Sequence, residues 1–580
     1  MAKDYSHLSK EELLKMVEKL ESRKKYGLIW DEEKTKERFE NEAENALPIL
    51  KEVKGKEIQD SSEPNTPHIL IEGDNYHTLS VLNFTHQGAF DVIYADPPYN
   101  TGAKNWRYNN DYVDENDVFR HSKWLSFMKK RLNLARTLLK DEGIIIVTID
   151  DYEVATLRLL MDEIFGEQNH LGTVVIKNNP SGRSTTAGFA VAHEYALFYS
   201  KSSLARVGRL QRSVDQIARY KEKDENGYFE WVNFRARYST ISPRLQYPIF
   251  IRKDGSNFRI PKLEWDSKKQ SYILLEQPKS NESIKYPVDD SNQLRCWKWS
   301  IETVNRQKES DMAVRLDQRK NPAVYVKARM KDEGMLPLTW WDKTEYSATA
   351  YGTNLLSGIM VGEGRFDYPK SLYAVMDCLR VASEKKNALV LDFFAGSGTT
   401  GHAVLELNKE DGGSRRFVLC TNNENKICEE VTYPRIKKIM IGYANKSKIK
   451  VPGLGGSLKY FKTAFVKKTL ARDDLKIRLT NECTEMLCLR ERVFTEIKST
   501  TDFRIFQQGG RFLAVYYSLE RDALKILRKE LDKLEGAKTL YCFTLDPLGL
   551  NKSDFIGWDD VVLEPIPQKI LDVYKQIYEY

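Results

Sequence analysis

The pattern that most constrains this chain recurs several times: a short apolar run, an acidic residue at its end, then a helical stretch. His68-Ile69-Leu70-Ile71 ends at Glu72-Gly73-Asp74, Phe90 to Ala95 ends at Asp96, and Ile144 to Ile149 ends at Asp150-Asp151. Between and after them, Leu125, Met128, Leu132, Ala135 and Leu139 trace one helical face, and Val154, Leu157, Leu160 and Ile164 trace another. This rhythm predicts a parallel α/β sheet. Ligands of such sheets bind beyond the carboxyl ends of the strands, so the acidic termini should line the crevice. The rhythm stops after about Lys201 and returns with a strand at Ala388 to Leu391, a glycine-bearing turn at Asp392 to Gly398, a helix at Thr399 to Leu407 and a strand at Arg416 to Thr421.

The interruption has a different character. Ser203 to Ala350 holds six of the ten tryptophans (231, 265, 297, 299, 340 and 341) and 28 Lys and Arg against 20 Asp and Glu, in a chain whose net charge is only +7. Lys253-Asp254-Gly255 reads as a hairpin turn after Tyr247 to Ile251. The segment is expected to be an inserted, strand-containing domain, with most of its tryptophans in a hydrophobic core and its excess positive charge the best place for a polyanion surface. A length of 580 residues calls for several folding units. The expected divisions are 1–66, 67–202, 203–355, 356–448 and 449–580. In the first of these, Ser9-x-x-Glu12 reads as a capping box before Leu13, Val17 and Leu20 on one helical face. That helix suits a dimer or subunit contact and packing on its own domain equally well.

Composition excludes some classes. The 41% hydrophobic and 30% charged residues are those of an ordinary globular protein. No apolar run of about 18 residues and no signal-peptide core is present, so no membrane association is expected and the cytoplasm is the default compartment. The seven cysteines (296, 378, 420, 428, 483, 488 and 542) are scattered and lack a C-x-x-C pair, which argues against a disulfide framework and against a zinc site.

Two motifs carry chemistry. The first is Asp96-Pro97-Pro98-Tyr99, directly after a strand. A proline-rich turn closing the strand is one reading. The other is chemical: an exocyclic amine on a nucleobase is a poor nucleophile, and acceptors aimed at its two hydrogens would stabilise the charge that develops as it attacks. The Asp96 carboxylate and the Pro97 carbonyl suit that task, consecutive prolines fix the backbone, and Tyr99 offers a flat face to a base drawn out of the duplex. The second motif is Asp392-Phe393-Phe394-Ala395-Gly396-Ser397-Gly398-Thr399. Its small residues permit a cofactor close to the backbone, and no lysine follows where a nucleotide P-loop needs one. Glu424, past the next strand, is placed to accept ribose hydroxyls.

These motifs, with Asn100-Thr101-Gly102 after the first and 296 residues separating Asp96 from Asp392, make the chain resemble amino-methyltransferases of DNA with the permuted β-class order. Within that family it looks most like the modification (Mod) subunits of type III restriction-modification systems, through Ile71 to Asn75, Trp124 to Met128, Ile149 to Glu153, Tyr368 to Ser371, Glu410 to Gly413, Ile427 to Thr432 and Gly456 to Phe461. The resemblance implies an α/β, Rossmann-like, circularly permuted fold dependent on S-adenosylmethionine, with an inserted target-recognition domain and extra N- and C-terminal segments. It implies transfer of a methyl group to N6 of a flipped-out adenine in double-stranded DNA, without metal or covalent intermediate. By the same resemblance Asp74 contacts the adenine, while Asn100, Thr101, Pro369, Lys370 and Ser371 join the glycine motif around the cofactor. A homodimer and a helicase-nuclease restriction partner are further implications, as is a bacterial, nucleoid-associated location. A solitary methyltransferase, a non-catalytic specificity subunit, and methylation of RNA or of cytosine N4 remain as alternatives.

Overall fold

The computed structural model describes residues 9–10, 30, 46–60, 66–101, 120–182, 188–212, 214–236, 242–289, 291–330, 334–361, 366–469 and 471–578. Nearly all of the helix expected after Ser9 lies outside these residues, as does Gly102. The chain divides into two compact units, Met1–Arg209 with Leu336–Tyr580, and Leu210–Met335.

The larger unit is built on ten strands: β1 Ala46–Glu52, β2 His68–Glu72, β3 Phe90–Ala95, β4 Leu139–Ile149, β5 His170–Ile176, β6 Glu194–Ser200, β7 Trp340–Trp341, β8 Leu389–Asp392, β9 Arg416–Thr421 and β10 Leu458–Lys467. They lie in the order β1-β10-β2-β9-β8-β3-β4-β6-β5-β7. From β10 to β4 every neighbour runs parallel, while β1, β6 and β5 add antiparallel pairings at the flanks. Strands such as Phe90–Ala95 and Leu389–Asp392 are buried at every position, as expected for a parallel sheet covered on both faces. The covering helices are α1 Asn75–Thr85, α2 Arg120–Leu138, α3 Val154–Phe165, α4 Leu372–Ala382, α5 Thr399–Asp411 and α6 Tyr433–Ile441. Leu125, Met128, Leu132 and Ala135 of α2, and Leu157, Leu160 and Ile164 of α3, face the core.

The sheet reaches beyond 67–202 and 356–448. It takes β1 from the first 66 residues and β10 from the span assigned to the C-terminal segment, because Leu47, Ile49 and Leu50 of one and Phe461 and Val466 of the other close the same core. The segment after β10 forms a second sheet of five strands, β11 Thr495–Ser499, β12 Phe503–Gln508, β13 Arg511–Tyr516, β14 Ala537–Phe543 and β15 Val561–Ile566. One face has its own core of Phe503, Ile505, Leu527, Leu540 and Trp558. The other joins the main core through Phe506, Leu513, Val515 and Tyr541.

The smaller unit is antiparallel throughout its named strands. A four-stranded sheet of Met312–Leu316, Pro322–Arg329, Gly227–Asn233 and Glu222–Asp224 accompanies a three-stranded sheet of Phe258–Arg259, Ile249–Arg252 and Glu282–Lys285. The turn between Ile249–Arg252 and Phe258–Arg259 contains Gly255 at φ 72°, where a left-handed residue suits glycine. Trp297 belongs to this unit's core and Trp299 packs against it, whereas Trp340 and Trp341 form β7 of the main sheet. Part of the positive charge is neutralised internally: Arg259 lies 2.6 Å from Glu276 and 2.8 Å from Glu282, and Arg329 lies 2.7 Å from Asp224 and 2.5 Å from Asp311.

Candidate active site

Strand order brings the two motifs together. β8 lies beside β3, with Asp392 paired to Tyr94, so Asp96 and the glycine turn leave the same end of adjacent parallel strands. They line one cleft of about 890 Å³, its open mouth included. Asp96, Pro97 and Pro98 form one wall, Asp392, Phe394, Ala395, Gly396, Ser397 and Thr399 another, and Pro369 with Lys370 a third. Tyr94, Phe366 and Tyr368 also reach the cleft.

The Asp96 loop is fixed from behind. The buried Trp124 of α2 donates its indole N–H to the Pro98 carbonyl at 2.7 Å, and the Thr148 hydroxyl of β4 donates to Asp96 Oδ1 at 2.7 Å. The Lys370 ammonium lies 3.1 Å from the same oxygen and 2.6 Å from Glu194 Oε2. It also donates to the Tyr99 hydroxyl, which in turn donates to Glu194 at 3.1 Å. Burial opposes the charge on Lys370, but the Asp96 and Glu194 carboxylates outweigh it and hold its pKa above the usual lysine value. Burial, reinforced by the same two carboxylates, pushes the Tyr99 phenol well above its ordinary range, so it stays protonated. Thr148 and Glu194 carry no motif of their own. They arrive from paired strands, Thr148 opposite Ala196, a relation visible only once β6 is known to return beside β4.

The glycine turn fits a nucleoside-bearing cofactor. Gly396 and Gly398 have φ of 47° and 78°, and a Cβ at Gly396 would come within 3.0 Å of the Phe366 ring. The backbone is therefore open to close approach where a side chain would crowd it. Arg435 of α6, fully buried, secures the turn by donating to the Ser397 carbonyl at 3.2 Å, the Ser397 hydroxyl at 3.0 Å and the Thr399 hydroxyl at 2.9 Å. Burial lowers its pKa to about 9. Asp392 is the chemically distinctive member. It accepts from the Thr400 hydroxyl at 2.6 Å and the Phe394 N–H at 2.9 Å, yet burial pushes its carboxyl up to about 7.

The remaining expected residues lie around the cleft without lining it. Asp74 is the N-cap of α1, accepts from the Tyr76 N–H at 2.8 Å and lies 3.5 Å from the buried Arg131. Asn100, at φ 54°, donates to the buried Glu153 at 2.5 Å, as does His121 at 2.6 Å. Thr101 is exposed. Ser371 caps α4 and donates to the Glu345 carbonyl at 2.6 Å. Phe393 is fully buried with its ring against Phe394, and Glu424 follows β9 and accepts from Asn422 at 3.4 Å.

A glycine turn and an acidic acceptor loop side by side at the carboxyl end of a parallel sheet define an α/β methyltransferase. The DNA methylase family profile matches residues 90–443, and the chain belongs to that family. It is a DNA methyltransferase. The type II methyltransferase M.KpnI of Klebsiella pneumoniae is 35% identical over 367 residues, which are 62% of this chain and 81% of that protein. The EcoPI Mod subunit of a type III restriction-modification enzyme, from Escherichia phage P1, is 30% identical over 401 residues, 63% of this chain and 59% of that protein. The StyLTI Mod subunit of Salmonella typhimurium is 31% identical over 402 residues, 65% of this chain and 56% of that protein. The chain thus spans less than three fifths of these two type III relatives.

Proposed function

We propose that this chain methylates N6 of adenine in double-stranded DNA, on a base turned out of the helix, and serves as the modification and recognition subunit of a type III restriction-modification system. The observation that carries the chemistry is the position of Asp96 on the wall of the cleft that the glycine turn also lines. Bound S-adenosylmethionine supplies an electrophilic methyl group. Asp96 and the Pro97 carbonyl accept the two hydrogens of the amine, so that its lone pair is directed at the methyl and the positive charge growing on nitrogen is stabilised. The Pro98 carbonyl is already taken by Trp124, which leaves its neighbour for the base. Tyr99, its hydroxyl tied to Glu194, stacks on the extruded ring. Such stacking contributes about 1–3 kcal/mol.

Cofactor contacts are assigned to Asp392, Phe393, Phe394, Ala395, Gly396, Ser397, Gly398 and Thr399, with Glu424 for the ribose and Asn100, Thr101, Pro369 and Ser371 toward the methionine end. Asp74 is assigned to the adenine. Site reading belongs to the Leu210–Met335 unit, through base-edge and phosphate contacts. The type III role rests on the similarity to the Mod subunits and carries with it a restriction partner and a dimer. Among the described residues no helix is long and apolar enough to cross a membrane, in keeping with action on DNA in the cytoplasm.

The deciding experiment incubates the purified chain with DNA and labelled S-adenosylmethionine and digests the product to nucleosides. N6-methyladenine is expected. N4-methylcytosine would overturn the adenine assignment, and absence of transfer would favour a specificity subunit.

A further inference from the structure

The two oxygens of Asp96 are treated differently by the fold. Oδ1 accepts from Thr148 at 2.7 Å and lies 3.1 Å from the Lys370 ammonium. Among the described residues no hydrogen bond is made to Oδ2. Two donors on one oxygen restrict rotation of the carboxylate and leave the other oxygen for whatever enters the cleft that Asp96 lines.

Lys370 in turn depends on Glu194. The lysine side chain is 12% exposed and that of Glu194 only 5%, so neither charge is supported by bulk water, and each needs the other. Glu194 Oε2 takes both the ammonium, at 2.6 Å, and the Tyr99 hydroxyl, at 3.1 Å. The same ammonium lies 4.6 Å from the centre of the Tyr99 ring. One buried carboxylate therefore secures the cation that holds the acceptor and the ring that faces the base. Its charge matters as well. Asp96, Lys370 and Glu194 together carry one net negative charge, which favours a nucleophile becoming positive. Without Glu194 the cluster is neutral and the ammonium opposes that development.

We propose that Glu194 is a positioning residue for methyl transfer: by anchoring Lys370 and Tyr99 it keeps Asp96 Oδ1 occupied and Oδ2 presented to the amine of the target base. This rests on the reading of Asp96 as the amine acceptor. Thr148 is the second support of the same oxygen and acts without charge.

The test uses the full chain with DNA and S-adenosylmethionine. Glu194→Gln removes the charge while keeping shape, and its single-turnover methylation rate should fall on the order of 10²-fold, the cost of misplacing a reacting group by about an ångström. S-adenosylmethionine affinity, read by titration calorimetry, should change less than about twofold, a split that general loss of structure does not give. Because glutamine keeps an acceptor for Tyr99 and the lost charge acts through Lys370, the double variant Glu194→Gln/Lys370→Met should be no slower than the slower single variant. Thr148→Val leaves the ion pair intact and supplies a second route should Glu194→Gln fold poorly: it too should lose rate with cofactor affinity unchanged. A full-rate Glu194→Gln or Thr148→Val, multiplying losses in the double variant, or affinity falling in step with rate overturns the proposal. Asp96→Ala is measured alongside. If it keeps the wild-type rate, the reading of Asp96 fails; if it is inactive while Glu194→Gln is not impaired, only the positioning role fails.

Discussion

Asp392 is a carboxyl group that the fold keeps from ionising until near neutrality, and replacing it by asparagine exposes what that costs. It ends β8, is 2% exposed, and has its pKa moved by burial from 3.8 to about 7 against the opposing pull of Thr400 and the Phe394 N–H. In the unfolded chain the carboxyl titrates near the ordinary value. Between these two pKa values the native protein binds a proton that the unfolded chain has released. The group's contribution to stability is therefore fully present below pH 3.8, falls as pH rises, and levels off above 7. One pKa unit corresponds to about 1.4 kcal/mol, so from pH 5 to pH 7 the wild type should lose roughly 2 kcal/mol relative to Asp392→Asn, and almost nothing more from pH 8 to pH 9. Urea unfolding of both proteins at pH 5, 6, 7, 8 and 9 measures the difference. A stability difference that does not change between pH 5 and pH 7 would mean that Asp392 is already ionised in the fold, and the argument from burial would be refuted. The same titration adds a negative charge to the cleft. Affinity for the cationic cofactor relative to its uncharged thioether product should thus rise between pH 6 and pH 8 in the wild type but not in the variant.

The glycines of the second motif and of the helix that follows it make separable predictions. A methyl group at Gly401, inside α5, would lie 2.7 Å from Ile436 and 2.9 Å from Leu419; overpacking costs about 1–3 kcal/mol against a helix-propensity gain of about 1, so Gly401→Ala should lower stability by urea unfolding, and a more stable variant would show that these side chains simply move aside. Gly396→Ala combines a left-handed backbone with a 3.0 Å approach to Phe366, so the turn should shift and S-adenosylmethionine affinity fall by about tenfold, on the order of the 1–2 kcal/mol that left-handed backbone costs a side chain; unchanged affinity by calorimetry would contradict its role in the cofactor cradle. Exchanging residues 203–350 for those of a relative with a different recognition site should move the methylated sequence and keep the chemistry, and an unchanged site in sequencing of the methylated DNA would remove that unit from recognition.

The parallel strands β2, β3, β4 and β8 were legible because each holds a short, mainly apolar run that ends at or just before an acidic residue, and the covering helices because their apolar residues recur at helical spacing. β1 and β10 were harder. Each is a strand in a charged neighbourhood, and only their mutual pairing, Ile49 beside Ala464 for example, shows that they belong to the central sheet. The cleft followed from the two motifs, since strand ends in a parallel sheet converge whatever the distance along the chain. Its supports did not. Glu194 is an ordinary glutamate at the start of a strand, Thr148 an ordinary residue within one, and Arg435 one of many basic residues on a helix. Their roles arise from burial and from neighbours far away in sequence. Lys370 was recognised through its motif and assigned to the cofactor; the fold places it on Asp96 and Glu194 as well.

The claim at the centre is that the Asp96 carboxylate activates the amine of a bound base. Its most direct measurement is the single-turnover rate of N6-methyladenine formation by wild type and Asp96→Ala, with cofactor and DNA saturating and with binding of both confirmed for the variant. Asp96→Ala should bind both and transfer methyl about 10²–10³-fold more slowly or worse. Transfer at the wild-type rate would contradict the account.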